Sequence, residues 1–229
     1  MKTIRLNTAL FALLAVTSTN AQFSTGVDLV SNYVFRGIQQ DVVHPIGSPN
    51  IQPTITYSYK GLTVGTWGSY SFSGSTKEVD LFLSYNFSDL FSATLTDYNY
   101  IFSQSYFNFG TETDHIFEAT LKYEGIDAFP LSASVNTMFY GADKLEDGSQ
   151  AYSTYLEFGY MITSSVGVFA GASLFNSLTY GTNGFGTTNV GIKAGKVISV
   201  SETFGFNVYG MLGFNPNAKD AFLVAGISL

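Results

Sequence analysis

The 229-residue chain contains no cysteine. Disulfides and thiolate metal sites are therefore ruled out, and the fold must rest on hydrogen bonding and packing. Charge is scarce as well: Asp, Glu, Lys and Arg make up 12% of the residues, well below the ~25% of soluble domains. Cations are the scarcer sign, with ten Lys plus Arg against seventeen Asp plus Glu. That balance disfavours nucleic acid as a partner, because phosphate binding needs clustered Lys and Arg. Long hydrophobic runs are missing too. Beyond the first residues no apolar stretch reaches the ~20 residues of a membrane helix. Catalytic motifs are equally thin. There is no G-x-S-x-G and no H-E-x-x-H, and "GFGTTN" (184–189) lacks the third glycine of a dinucleotide loop. Only two histidines occur, His44 and His115. No enzyme and no cofactor are expected.

What the chain does have is aromatics, 16% of its residues, together with 23 glycines. Polarity alternates with period two almost throughout. In "KEVDLFLSYNF" (77–87), Val79, Leu81, Leu83, Tyr85 and Phe87 oppose Glu78, Asp80, Phe82, Ser84 and Asn86. In "FPLSASVNTMFY" (129–140), Leu131, Ala133, Val135 and Phe139 oppose Ser132, Ser134, Asn136 and Tyr140. In "STYLEFGYMI" (153–162), Leu156, Phe158, Tyr160 and Ile162 oppose Tyr155, Glu157 and Gly159. A soluble sandwich or lipocalin-like barrel would turn its apolar face inward. Low charge and abundant aromatics point instead to strands with one face in lipid.

About ten residues per segment, separated by turn chemistry, is the pattern of a transmembrane barrel. Backbone groups cannot be satisfied by water in hydrocarbon, so strands cross only as a closed barrel. The segments lie near 24–38, 51–59, 62–73, 77–87, 91–101, 114–123, 129–140, 150–162, 166–177, 187–197, 203–213 and 220–229. The fold class is therefore all-β: a transmembrane antiparallel up-and-down barrel of about twelve strands, with ten or fourteen as alternatives. Short connections such as Lys60-Gly61 and "SDL" (88–90) alternate with long ones such as "QQDVVHPIGSPN" (39–50) and "GADKLEDGS" (141–149). In such barrels short turns face the periplasm and long loops face outside. "AFLVAGISL" (221–229) ends the chain within a strand, although Leu229 replaces the frequent final aromatic.

Residues 1–21 read as a secretory signal and 22–229 as one barrel domain. Lys2 and Arg5 precede the short apolar core "ALFALLAV" (9–16), and "TNA" (19–21) offers the small residues of a cleavage site before Gln22. Cleavage would leave eight cations against seventeen acids, a net charge of −9. The expected location is the outer membrane of a Gram-negative bacterium. The expected partners are its lipids and small hydrophilic solutes, with the oligomeric state left open.

Strand one poses a question, because "SNYVFRGIQQ" (31–40) places an arginine within an apolar run. Alternation puts Asp28, Asn32 and Arg36 on one face, which must be the lumen. At the midplane an arginine facing lipid costs about 2–4 kcal/mol. A carboxylate partner is expected, Glu78 or Asp80 before Asp28. By the same alternation Trp67, Glu118, Lys122, Glu157 and Lys193 line the lumen. Asp97 shares the face of Leu95, and a bulge near Thr96 would bring it inward while turning Tyr98 and Tyr100 to lipid. Mixed-sign inward charge suits either a water-filled pore or an internal salt-bridge network.

"DLVSNYVFRG", "SPNIQPTITYSYKGLTVGTWGSYSF", "EVDLFLSYNF" and "LTDYNY" resemble the TorF-type porin family, most clearly over residues 26–100. Phe35 stands where a tryptophan is frequent. The resemblance implies an outer-membrane barrel acting as a porin, with no established substrate and no catalytic residues. The expected function is passive passage of small hydrophilic solutes with a weak cation preference. The alternatives are a closed structural or surface-interaction barrel and, more distantly, a lipid-modifying enzyme.

Overall fold

Each alternating segment forms a strand, and the first does something more. The computed structural model describes residues 22–41, 43–44, 46–100, 106–110, 112–202 and 204–229. The expected signal segment lies outside these residues, as does part of the connection 102–113. In chain order the strands are β1 (Gln22–Val30), β2 (Val34–Phe35), β3 (Ile38–Gln39), β4 (Asn50–Tyr59), β5 (Leu62–Ser71), β6 (Lys77–Asn86) and β7 (Phe91–Asn99). Then follow β8 (His115–Tyr123), β9 (Leu131–Gly141), β10 (Thr154–Met161), β11 (Val166–Ser173), β12 (Gly186–Ser199), β13 (Gly205–Asn215) and β14 (Asp220–Ser228). All except β2 and β3 form one closed barrel of twelve antiparallel strands. Strand β1 pairs with β4 on one side and β14 on the other, so the sheet keeps no free edge.

The outer wall is apolar. Leu81, Leu95, Leu121, Phe158, Leu212 and Leu223 are all exposed there. The buried residues are mostly polar and face the axis: Glu78, Ser69, Asn50 and Thr188 are 0 or 1% exposed. A water-soluble β protein distributes its side chains the other way round.

Two bulges shape the wall. Phe117 pairs with Tyr140 and Glu118 with Met138, leaving Phe139 as the extra residue. The bulge turns Tyr140 outward, where its hydroxyl donates to the Phe109 carbonyl; strict alternation had placed Tyr140 inside. The second bulge, where Gly171 faces Asn189 and Ala172 faces Thr187, leaves Thr188 extra.

Strand one ends at Val30 rather than at 38. Residues 33–40 leave the wall at the long-loop end and fold back into the lumen as a two-stranded hairpin. Val34 pairs with Gln39 and Phe35 with Ile38, and Gln40 N–H donates to Tyr33 O at 2.9 Å. The turn is Arg36-Gly37, with φ of 50° and 82°. Positive φ at both central residues is the signature of a type I′ hairpin turn. Lys60-Gly61, between β4 and β5, has the same pair of signs at 47° and 82°.

Candidate functional site

The hairpin occupies the upper lumen, meaning the half nearer the long loops. Val34 packs with Val30, Phe222 and Val224. On its other flank Phe35 and Ile38 pack against Met138, Tyr155 and Tyr180. Tyr33 lies against Trp67 with ring centroids 5.4 Å apart. Gly37 is required at the tip. A Cβ there would sit 1.9 Å from the Thr188 carbonyl oxygen. Among the described residues the wall holds the tip backbone by side chains: Thr188 Oγ1 donates to Arg36 O and Asn215 Nδ2 donates to Gly37 O, each at 3.1 Å.

Arg36 carries the principal contact. Its guanidinium makes two hydrogen bonds to Glu118, at 2.5 and 2.8 Å. It also donates to the Tyr180 hydroxyl. The rings of Phe35 and Tyr155 lie 4.6 and 4.9 Å from its Cζ. Glu118 is itself held in place, with Tyr98 donating at 3.0 Å and Thr120 at 3.3 Å to its Oε1. A bidentate arginine–carboxylate pair is among the strongest of protein hydrogen-bond arrangements. The turn makes this placement costly. A left-handed backbone at a residue with a Cβ costs roughly 1–2 kcal/mol, and Asn or Gly relieves it. Turn chemistry alone would not select arginine at this position; its side-chain contacts do.

Several expectations are corrected here. Asn32 and Arg36 do not line the lumen from strand one. Asn32 stands at the base of the hairpin, donating to Gln39 Oε1 at 3.2 Å, and Arg36 is at the tip. The carboxylate that meets Arg36 is Glu118, because the hairpin carries the arginine across the lumen to β8. Glu78 is fully buried next to Tyr33 and Tyr100. Asp80 accepts the Asn99 N–H at 3.3 Å. Among the described residues neither makes an ion pair.

Asp97 faces outward. The β6–β7 and β7–β8 registers run without a shift, setting Asp97 beside Leu81 and Phe117. Tyr98, expected outside, points inward instead to Glu118. Asp97 is tolerated on this apolar outer face because it pairs with His115 at 2.7 Å. Residues 106–109 fold over the two, with the Tyr106 carbonyl against His115 Nε2 and the Phe109 ring stacked at 4.3 Å. That cover takes the place of the bulge that was expected to turn Asp97 inward.

Below the hairpin is a cavity of about 270 Å³, lined by Arg36, Trp67, Asp80, Glu118, Lys122, Glu157 and Lys193 together with Thr94, Ser134 and Asn189. Lys122 bonds Glu124 at 2.8 Å. Lys193 stands 4.3 Å over the Tyr209 ring. Glu157 lies within electrostatic reach of Arg36, Lys122 and Lys193, and Asp28 within reach of Lys193. Among the described residues no cluster of His, Asp and Glu could hold a metal.

The long loop before β4 has its own anchor. Asp41, 4% exposed, accepts the backbone N–H groups of Val43 and His44 and the Ser73 hydroxyl. Burial is the largest single influence on its carboxyl and raises the pKa. Hydrogen bonds from Ser75, His44 and Ser73 together outweigh it and bring the pKa from 3.8 down to about 2. The sign follows from linkage: a depressed carboxyl stabilises the folded loop above its unfolded pKa, and loses that contribution as pH falls through the folded one. The anchor should therefore hold at pH 4 and weaken toward about 2. Carbon NMR titration of the Asp41 carboxyl in micelles should give a midpoint near the lower value; one at 3.8 would mean that the loop is open in solution.

Among curated proteins none matches the chain. Several solved chains match; one of them, carried under the words "Asymmetric conductivity of engineered proteins", does so at 16% identity with a TM-score of 0.41. The match covers 87% of this chain and 61% of that one, so this chain spans less than two thirds of its length. A likeness at that level carries no argument about function. The family described as "Bacterial protein of unknown function (Gcw_chp)" matches residues 15–173, more than half of the chain, including the hairpin and Glu118. The chain is a twelve-stranded β-barrel that belongs to this bacterial family.

Proposed function

We propose that this barrel is exported by the signal at 1–21, resides in the outer membrane, and passes small hydrophilic solutes through a lumen gated by the β2–β3 hairpin. One observation carries the reading. The hairpin forms a sheet of its own and makes no strand ladder with the wall. It can leave the lumen without breaking any barrel hydrogen bond between strands. The lower lumen fits water: Thr94, Lys122, Ser134, Glu157 and Lys193 are only partly buried, in contrast to Glu78 and Ser69 above. The resemblance to TorF-type porins points the same way. No catalytic role is assigned.

With Asp97 outside, the inward acids are Asp28, Glu78, Asp80, Glu118 and Glu157, against Arg36, Lys122 and Lys193. Such a wall favours cations, though weakly, because neighbouring opposite charges cancel at a distance. In a planar bilayer under a KCl gradient, openings should show a reversal potential displaced toward that of potassium. The displacement should shrink as salt rises, since screening reaches ~10 Å at 0.1 M. Anion preference would sink this account of the lining. Recovery of the protein from the soluble periplasm, rather than as a heat-modifiable outer-membrane species, would sink the location.

A further inference from the structure

The pocket that receives Arg36 is built by two wall strands and one loop residue, Tyr180, and most of it stays behind if the hairpin leaves. Glu118 offers both carboxylate oxygens, oriented by Tyr98 and Thr120. Tyr155 supplies an aromatic face and Tyr180 a hydroxyl, and the two rings stack at 5.3 Å. A planar fork of N–H donors fits a carboxylate bidentately and lies flat on an aromatic ring, which a compact ammonium cannot do equally well. The pocket is also reachable. Arg36 and Glu118 both line the lower cavity, and the arginine side chain keeps 11% of its surface exposed. At its tip the hairpin bears an arginine where turn geometry favours asparagine or glycine.

We propose that this pocket is a recognition site for guanidinium-bearing solutes, and that Arg36 occupies it in the closed barrel as a tethered ligand. A free guanidinium competes with Arg36 for Glu118 and frees the tip of the hairpin. The step from competition to an open lumen rests on the channel reading above; occupancy of the pocket does not.

The probes are methylguanidinium and methylammonium chloride at equal millimolar concentrations, with the folded protein in detergent. Arg36→Asn removes the tethered competitor while keeping a residue that suits the turn. By calorimetry it should bind methylguanidinium at least ~10-fold more tightly than the wild type, because a short tether competes at millimolar effective concentration. Adding Glu118→Gln should abolish that binding. In the wild type, methylguanidinium should shift the emission of Trp67, the chain's single tryptophan, as Tyr33 moves away from it. No binding to either protein, or equal binding of methylammonium, would overturn the proposal. Should Arg36→Asn not fold, the wild-type emission titration and its loss in Glu118→Gln decide the question alone. Binding with no rise in bilayer conductance would leave the pocket assigned and remove the gating step.

Discussion

Excising residues 33–40 should turn a barrel that opens rarely into one that conducts almost continuously. The two ends of the excised segment are already adjacent, since Gln40 N–H bonds to Tyr33 O at 2.9 Å. A bridge of two glycines between Asn32 and Asp41 therefore spans the gap. None of the twelve wall strands is touched. What is lost is the packing of Val34 against Phe222 and Val224, of Phe35 and Ile38 against Tyr155 and Tyr180, and the Arg36–Glu118 pair. With the two charge-assisted hydrogen bonds of the latch together contributing about 3 kcal/mol, their removal shifts an opening equilibrium by roughly a hundredfold, at 1.4 kcal/mol per decade. Time-averaged current through single inserted barrels is the measurement. If the excised protein inserts, migrates as a folded barrel and still passes no ions, the lumen is closed by more than the hairpin. The chain is then better regarded as a structural barrel.

The second large effect concerns Glu118 once its partner is gone. Its side chain is 1% exposed, so Arg36→Asn strands a carboxylate in the upper lumen. Leaving one member of a buried pair uncompensated costs about 3–5 kcal/mol. The asparagine offsets part of that, since it relieves ~1 kcal/mol of turn strain at φ 50°. The barrel wall is closed and does not depend on the pair, so the cost should appear as release of the hairpin. Limited proteolysis should cut within 33–40 in the variant and not in the wild type, and Trp67 emission should move to the red. Glu118→Gln on top of Arg36→Asn removes the stranded charge. It should bring the hairpin back toward the closed position, held by its apolar flanks. A double variant as open as the single one would mean that the apolar flanks cannot hold the hairpin without the ion pair. A single variant that stays closed would mean that the pair contributes little to the latch.

Much of this barrel was legible in the chain, for a reason tied to the solvent. Where a sheet turns its outer face to hydrocarbon, outward side chains are predominantly apolar and backbone groups must be paired. Alternation at Val79 to Phe87, or at Leu156 to Ile162, therefore states both the strand and its face. Twelve such segments with short and long connections in turn imply closure, which the β1–β14 pairing delivers.

The hairpin and its pocket were decided by tertiary structure. Val34 and Ile38 fall on the face of Asn32 and Arg36, but two apolar residues on the inward face do not separate a hairpin lying inside the lumen from a wall strand. The one local clue was a pair of residues. Lys60-Gly61 and Arg36-Gly37 are both a long cation followed by glycine, and both form turns with two positive φ values. Only the former stands between two runs long enough to cross a membrane. The partner of Arg36 depends on how far the hairpin reaches across the barrel, and that distance is encoded by no spacing along the chain. Tyr180 reaches the same guanidinium from a loop 144 residues away. Asp97 makes the converse point. Alternation gave its face correctly, and the expected cost of that face suggested a bulge. The backbone stays regular because His115 and the segment over it pair and cover the charge.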